Sequence, residues 1–550
     1  MTREEEILSG WLKLPGSEGK SYVGKEIPGW KSFPQGNQDM EAVFVLNRHE
    51  HWNVLIEAYR RTGDQRYADK VWKEFESWYQ TCPCPEIRPD KPYLKEWFDT
   101  YTDPAKACWR SLEAGIRMFR VWHNIPKYLF QSKNARAEYI SHFKKSLTDH
   151  ARVLSVVSPA FFPKADHNHY LMEMFGLLTL GCTYPWLKEA DRWKAQAVKE
   201  LKRCFFAQIT EDGGQIEGCP YYHNESIELM AQAVLLMKSH QIPIEDIYLQ
   251  RLKKSLEYTL HTVRPTGKNV AFGDSDATDN WKKALELGGK AFGREDFIQA
   301  GSGDTLSALP LLNYQRQLGQ VFVRGDWGRD AASLAVICKT PVQNEHAYID
   351  GGSLEFTAFG KTMLTDPGRY TYQEGEMRKL FKSAEYHNTL LINGKSPFDY
   401  MGTWRYGEQK PAYLTEVNHH FIQMRQEAYA PVIHDRRIYY QLSQNRPWLL
   451  IRDDIAGLET GDFVQLYYHL DFTRVEKLPG RTGVYAVDPK RKVTCTVQVS
   501  PEAEGRILAG KVSETMDSWH ESRRFVCRAV SHGEKVLRLY TWIVPGRIDS

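Results

Sequence analysis

The period of the apolar residues changes once along this chain, near residue 318, and that change constrains the fold more than any motif. Before it, apolar residues recur at helical spacing. The run 51–61 places Trp52, Leu55, Ile56 and Tyr59 on one face, and Thr62-Gly63-Asp64 breaks the chain before the next run. The same pattern predicts helices at about 65–80, 105–122, 136–156, 168–182, 187–208, 222–239 and 249–263. Short links rich in Pro, Gly or Asp imply antiparallel hairpins, stacked as a solenoid or closed into a ring. No sequence repeat of fixed period is present, which counts against the solenoid. Beyond Leu318-Gly319 the apolar runs are short, β-rich and often alternating, as at 321–323, 333–338, 353–359, 448–451, 493–497 and 536–542. They predict a large β-sandwich. No Gly/Ser-rich or Pro-rich linker separates residues 1–318 from 319–550, so the halves are expected to be packed rather than tethered.

A chain of 550 residues is too long for one core. Its formal charge of +3 gives no field to hold a nucleic acid and no polybasic membrane anchor. No 18-residue apolar stretch occurs, so no membrane span is expected. The start, Met1-Thr2-Arg3-Glu4-Glu5-Glu6, lacks the apolar run of a secretory signal; a cytoplasmic location is expected, or a periplasmic or secreted one if a leader has been removed. The nine Cys are scattered, and Cys82 and Cys84 are too close for a redox CxxC, which predicts free thiols. The 16 Trp and 29 Tyr offer flat faces that suit a sugar ring, though large cores use them too.

Four polar clusters carry candidate chemistry. Asp166-His167-Asn168-His169-Tyr170 opens a predicted helix with a core-like body; in its plain reading Asp166 or Asn168 caps that helix. In 211–223 a Gly-rich turn leads through Pro220 into a helix bearing Tyr222 and His223. Asn344-Glu345-His346-Ala347-Tyr348-Ile349-Asp350 forms a loop before a strand. Asp366-Pro367-Gly368-Arg369-Tyr370-Thr371-Tyr372 precedes Tyr386-His387-Asn388-Thr389. Taken singly, Tyr222 reads as a core aromatic, His346 and His387 as loop histidines, and Asp366-Pro367-Gly368 as a β-turn.

Together these segments resemble the heparinase II/III family of polysaccharide lyases. The resemblance runs over most of the chain. It also takes in Leu46-Asn47-Arg48-His49, Trp109-Arg110-Ser111-Leu112-Glu113-Ala114-Gly115-Ile116-Arg117, Pro220-Tyr221-Tyr222-His223 and Gly273-Asp274-Ser275-Asp276. It implies an α+β multidomain chain: an N-terminal (α/α) toroid, an incomplete barrel of helical hairpins, at 1–318, and a C-terminal antiparallel β-sandwich at 319–550. It also implies that Asn168 and His169 contact a uronate carboxylate, that Tyr222 is catalytic base and acid, and that His346 reaches in from the sandwich. The chemistry requires no cofactor. Many members hold a structural zinc through a His two residues after the position of His346, the Asp of the Asp-Pro-Gly turn and a later His. Here Asp366 and His387 match the last two, but the first is Tyr348, a poor zinc ligand. A metal at Asp366 and His387 and a polar hydrogen-bond network there are both open.

Those residue types suit β-elimination at a uronic acid. The proton next to the carboxylate is hardly acidic until donors spread the charge that its removal creates, a task for Asn168 and His169. One Tyr can then act as base and acid if nearby cations lower its pKa, with His223, His346 and Arg residues as sources. If proton and leaving oxygen lie on opposite faces, His346 or His169 is the base. Arg48, Arg110 and Arg369 are candidate clamps for carboxylate or sulfate, or else structural ion pairs. Glu217 and His223 complete the candidate substrate-binding set. The expected partner is an acidic poly- or oligosaccharide, of heparin or heparan type on the segments around Arg48 and Arg110, with exo-acting or oligosaccharide cleavage if fragments are imported. Alginate or another exopolysaccharide is the runner-up. A non-catalytic sugar binder, and a hydrolase using Asp212 and Glu217, are the rivals from other classes.

Overall fold

The computed structural model describes residues 2–17, 19–88, 95–302, 310–338, 346–410, 412–443 and 445–548. The chain divides into two compact units, Met1–Gln208 with Ala233–Ile244, and Ile209–Gln232 with Glu245–Ser550.

The first unit is helical. Its helices include Met40–Arg48, His51–Thr62, Gln65–Thr81, Ser111–Arg120, Ala137–Arg152, Asn168–Thr183 and Ala190–Gln208. The punctuation read at 62–64 is real: Gly63 ends one helix in the left-handed conformation, and the Asp64 carboxylate caps the next by accepting the Arg66 N–H at 3.0 Å. Trp52, Trp72, Trp78 and Trp122 are fully buried, and each indole N–H finds a partner, on Glu74, Ser132, Asn47 and His49 respectively. These four Trp are therefore core, with their polar edges satisfied. The helices Ser111–Arg120 and Asn168–Thr183 cross so closely that a Cβ on Gly176 would stand 2.6 Å from the Gly115 carbonyl oxygen. Ala at either position would force this crossing apart.

The second unit contains the helices Asp246–His261, Trp281–Phe292 and Glu295–Ser302, followed by three antiparallel sheets. Every strand run read from the sequence falls within a strand or its immediate edge. A five-stranded meander comprises Leu312–Gln315, Gln320–Arg324, Ser333–Ile337, Ser353–Ala358 and Lys361–Leu364. Eight strands, with Trp448–Ala456 and Val536–Arg547 at the centre, form the largest sheet, and a four-stranded sheet is built on Phe463–Leu470 and Ser518–Val530. In Trp448–Ala456, Leu449, Ile451, Asp453 and Ile455 are buried and the alternate residues are more exposed, the period-2 pattern of a half-buried strand. Residues from all three sheets meet in one apolar core, among them Val336, Phe356, Val464, Phe525, Ile451 and Ile543. Truncating such a side chain to Ala costs about 2–5 kcal/mol. The helix Glu376–Lys382 interrupts the strands and was not predicted.

Candidate active site

The helix Pro220–Ser239 starts at a turn that His223 braces. Its Nδ1 accepts the Gln215 N–H at 3.2 Å, and its Nε2 faces the Ser255 carbonyl at 3.1 Å and the Thr259 hydroxyl at 3.0 Å. Burial pulls its pKa down to about 3, so it stays neutral, with the ring proton on Nε2. The expectation that His223 supplies positive charge to Tyr222 is therefore corrected: it holds the turn. Glu217, in the same turn, is buried, and its backbone N–H donates to Gln215 at 2.8 Å.

Tyr222, one residue earlier on the helix, is half-buried. Its hydroxyl lies 2.5 Å from that of Tyr372. Tyr372 in turn accepts from Arg369 Nη1 at 2.5 Å, while Arg369 Nε and Nη2 grip both oxygens of Asp276 at 2.8 Å. Because the Tyr372 oxygen accepts a hydrogen bond from Arg369, its own O–H is left to donate to Tyr222. The bonds therefore run Arg369 to Tyr372 to Tyr222, which favours negative charge on the Tyr222 oxygen. Burial outweighs this and pushes the Tyr222 phenol above its ordinary value, with the Arg369 charge and the Tyr372 hydrogen bond pulling the other way. The lowered pKa expected from the sequence is corrected on that ground.

His346 stacks on Tyr222, with ring centroids 4.0 Å apart. Its Nδ1 lies 2.9 Å from Asp274, which also accepts from Tyr348 at 2.7 Å and from Arg378 at 2.5 and 2.9 Å. Burial opposes ionisation of Asp274, but Arg378, Lys382 and these hydrogen bonds hold its carboxyl well below the usual range. A carboxylate on Nδ1 fixes the tautomer and leaves Nε2 as the basic nitrogen. The loop reaches this position because Gly273 adopts φ +62°, where a Cβ would meet the His346 carbonyl oxygen at 2.6 Å. The Asp274 N–H donates to that same carbonyl at 2.9 Å.

Beside these groups stands Trp404, 36% exposed, edge-on to His346 at 5.4 Å and 5.1 Å from the Tyr372 ring. Its loop is pinned by Glu374, which accepts from the Thr403 N–H and hydroxyl at 2.6 Å and from the Tyr400 hydroxyl at 3.0 Å. Sequence reasoning assigned no role to Asp274, Tyr372, Arg378 or Trp404. The first two stood inside the quoted segments, and the last two carried no signal in the chain.

Thus Tyr222, His346 and Arg369 are brought together in the second unit. Asn344 and Glu345, grouped with His346 in the sequence, lie outside the described residues. Asn168 and His169 belong to the first unit. The cap of their helix is neither Asp166 nor Asn168 but His167, whose Nδ1 accepts the His169 N–H at 3.1 Å. Asn168 is buried, and its Oδ1 has no hydrogen-bond partner among the described residues. Arg48 and Arg110 converge on Glu113, each at 3.1 Å, and the Arg110 guanidinium lies against both the Phe44 and Tyr101 rings, 4.3 and 4.4 Å from their centroids. With Arg369 on Asp276, all three candidate clamps already hold carboxylates.

The candidate metal residues also come together, with a different third member. Asp350, Asp366 and His387 are buried, and each offers one ligand atom within 4.8 Å of the others. His387 Nδ1 is 2.9 Å from Asp366 and Nε2 is 3.1 Å from the Phe381 carbonyl oxygen. Among the described residues neither oxygen of Asp350 has a hydrogen-bond partner, and burial raises its pKa to about 7. Tyr348, at the position where the family resemblance implies a His ligand, points its hydroxyl at Asp274 instead. Two carboxylates and an imidazole fit a divalent ion.

The heparinase II/III N-terminus model matches residues 11–299, and the heparinase II/III-like C-terminal model matches residues 312–537. The chain belongs to the heparinase II/III family. A heparin-sulfate lyase of Bacteroides stercoris is 25% identical over 485 residues, 85% of this chain and 69% of that protein. A heparin-sulfate lyase of Pedobacter heparinus is 23% identical, over 80% of this chain and 63% of its own length. This family member therefore spans about two thirds of those relatives. The crystal structure of heparinase III superposes with a TM-score of 0.81 at 18% identity, covering 96% of this chain and 81% of that one. That likeness carries the fold class, a helical toroid followed by an antiparallel β-sandwich.

Proposed function

We propose that this protein is a polysaccharide lyase that cleaves heparin- or heparan-sulfate-type glycans at a uronic acid by β-elimination, leaving an unsaturated uronate. The observation that carries the reading is the Tyr222 hydroxyl, which receives a directed chain of hydrogen bonds from Arg369 through Tyr372 and has His346 stacked against its ring. The names of the relatives supply the glycan class.

In the proposed reaction the phenol of Tyr222, kept protonated at rest by burial, delivers a proton to the departing 4-linked oxygen. The proton beside the carboxylate leaves either to Tyr222 as phenolate or to His346 Nε2, which Asp274 orients. By likeness to the family, Asn168 and His169 neutralise the uronate carboxylate. Trp404 offers the flat apolar face on which a sugar ring stacks.

The test is a panel of heparin, heparan sulfate, alginate and other uronate glycans, followed by ultraviolet absorbance as the conjugated uronate forms. Absorbance growth with heparan-type substrates supports the proposal, and growth with alginate alone transfers it to that glycan. Binding with no absorbance change makes the protein a sugar binder, and reducing ends without absorbance make it a hydrolase.

A further inference from the structure

We propose that Cys82 and Cys108 form a peroxide-sensitive dithiol that closes into a reversible disulfide. All nine thiols are free in the structure. Among the described residues only these two thiols meet: their Sγ atoms lie 2.9 Å apart, nearer than the ~3.5–4.0 Å at which even carbon atoms pack without a bond. Joining them takes a further approach of about 0.9 Å. The backbone on both sides holds the sulfurs in place. Cys82 ends the helix Gln65–Thr81, its N–H donating to the Trp78 carbonyl at 2.8 Å, and Cys108 sits in the single turn Ala107–Trp109. The Trp109 indole N–H donates to the Cys82 carbonyl oxygen at 2.8 Å, so two segments 26 positions apart are pinned next to the pair.

Cys82 is the nucleophile. Hydrogen bonding to Cys108 holds its thiol below the ordinary value against the effect of burial, and the charge of the buried Arg117 guanidinium also favours the thiolate. Burial pushes up the thiols outside the pair, which leaves them inert. Cys82 and Cys108 are themselves buried, but Thr81 and Pro83 on either side of Cys82 are exposed, so the oxidant must be small. The Cys82 thiolate attacks one oxygen of hydrogen peroxide; the S–O bond forms, the O–O bond breaks and hydroxide leaves. The Cys108 sulfur then attacks the Cys82 sulfur, the S–S bond forms, the S–O bond breaks, and the Cys108 proton departs with the oxygen as water. Two thiols lose two electrons, and the peroxide becomes two waters. The bond ties the end of one helix to the turn that leads into Arg110 and the helix Ser111–Arg120.

The experiment takes the full chain, reduced with dithiothreitol and desalted, through graded doses of hydrogen peroxide; the protein is then quenched and unfolded, and its thiols are counted. Two of the nine should disappear first, roughly tenfold faster than any other, with a peptide map joining Cys82 to Cys108 and dithiothreitol restoring all nine. Cys108→Ser keeps the nucleophile without its partner, so Cys82 should instead accumulate as a sulfenic acid that dimedone labels. Cys82→Ser should protect Cys108, and its thiol count should not fall at the same dose. If either variant does not fold, the wild-type count and peptide map decide alone. Uniform loss of all thiols, a bond from Cys84 to either partner, or no bond between Cys82 and Cys108 at any dose would overturn the proposal. No glycan enters the measurement, so the presence or absence of lyase activity leaves this result untouched.

Discussion

The hydroxyl oxygens of Tyr222 and Tyr372 lie 2.5 Å apart, and Arg369 donates to the second of them. Two residues 150 positions apart thus share one proton path, and its direction gives Tyr222 the end at which charge develops.

Tyr222→Phe is expected to lower turnover by ~10²- to 10⁴-fold while leaving the circular dichroism spectrum unchanged, since one oxygen leaves a site that keeps its shape. If Tyr222 is also the base, its raised pKa has a definite sign. Phenolate is scarce at neutrality, so kcat/KM should climb ~tenfold per pH unit on the alkaline side. Tyr372→Phe, which removes the stabilising donor, should move that climb to still higher pH. The absence of any such climb transfers the base role to His346.

Asp274→Asn should both slow the enzyme and destabilise it. The carboxylate orients His346 and neutralises buried Arg378. Removing its charge leaves a buried guanidinium unpaired, a loss of about 3–5 kcal/mol, to be measured by denaturant unfolding. An unchanged unfolding midpoint would show that Arg378 finds compensation elsewhere.

Trp404→Ala is expected to raise KM by ~10-fold, about 1–1.5 kcal/mol of stacking, with a smaller effect on kcat, and Trp404→Phe should recover most of the loss. Trp404 fluorescence should also respond to substrate. Equal KM in the Ala variant removes the platform.

His223 sets a stability limit in acid. Its folded pKa is depressed to about 3 from an unfolded value near 6.5, so its contribution is fully present above pH 6.5 and is lost progressively as pH falls toward 3. Melting curves of wild type and His223→Asn between pH 7 and pH 3 should converge as the medium becomes more acidic. Parallel curves would mean that another group governs acid unfolding.

How much was legible depended on what each feature rests on. The helix pair around Gly63 and Asp64 was readable because caps and periodicity are local. The strand cores at 448–451 and 493–497 were readable because alternation survives in half-buried strands. The helix Glu376–Lys382 is too short to display a period. The grouping of Asp274 with His346, Tyr348 and Arg378 joins distant segments and leaves no trace in spacing. Whether Tyr222 and His223 hold their protons more or less tightly depends on burial, which in both outweighs the neighbouring charges and hydrogen bonds. Arg48 and Arg110 were correctly seen as cations, but Glu113, which occupies them, sat inside a quoted segment without being recognised as their partner.

Gly273 turns the chain through a conformation closed to most amino acids, and its immediate successor carries the charge that aims His346. Contour and reactivity are therefore encoded in adjacent codons, and variation at either is filtered by both demands at once. Anyone retuning this enzyme for a new glycan has little room there and far more around residue 404, where Glu374 anchors the polypeptide and the indole is the face offered to the sugar.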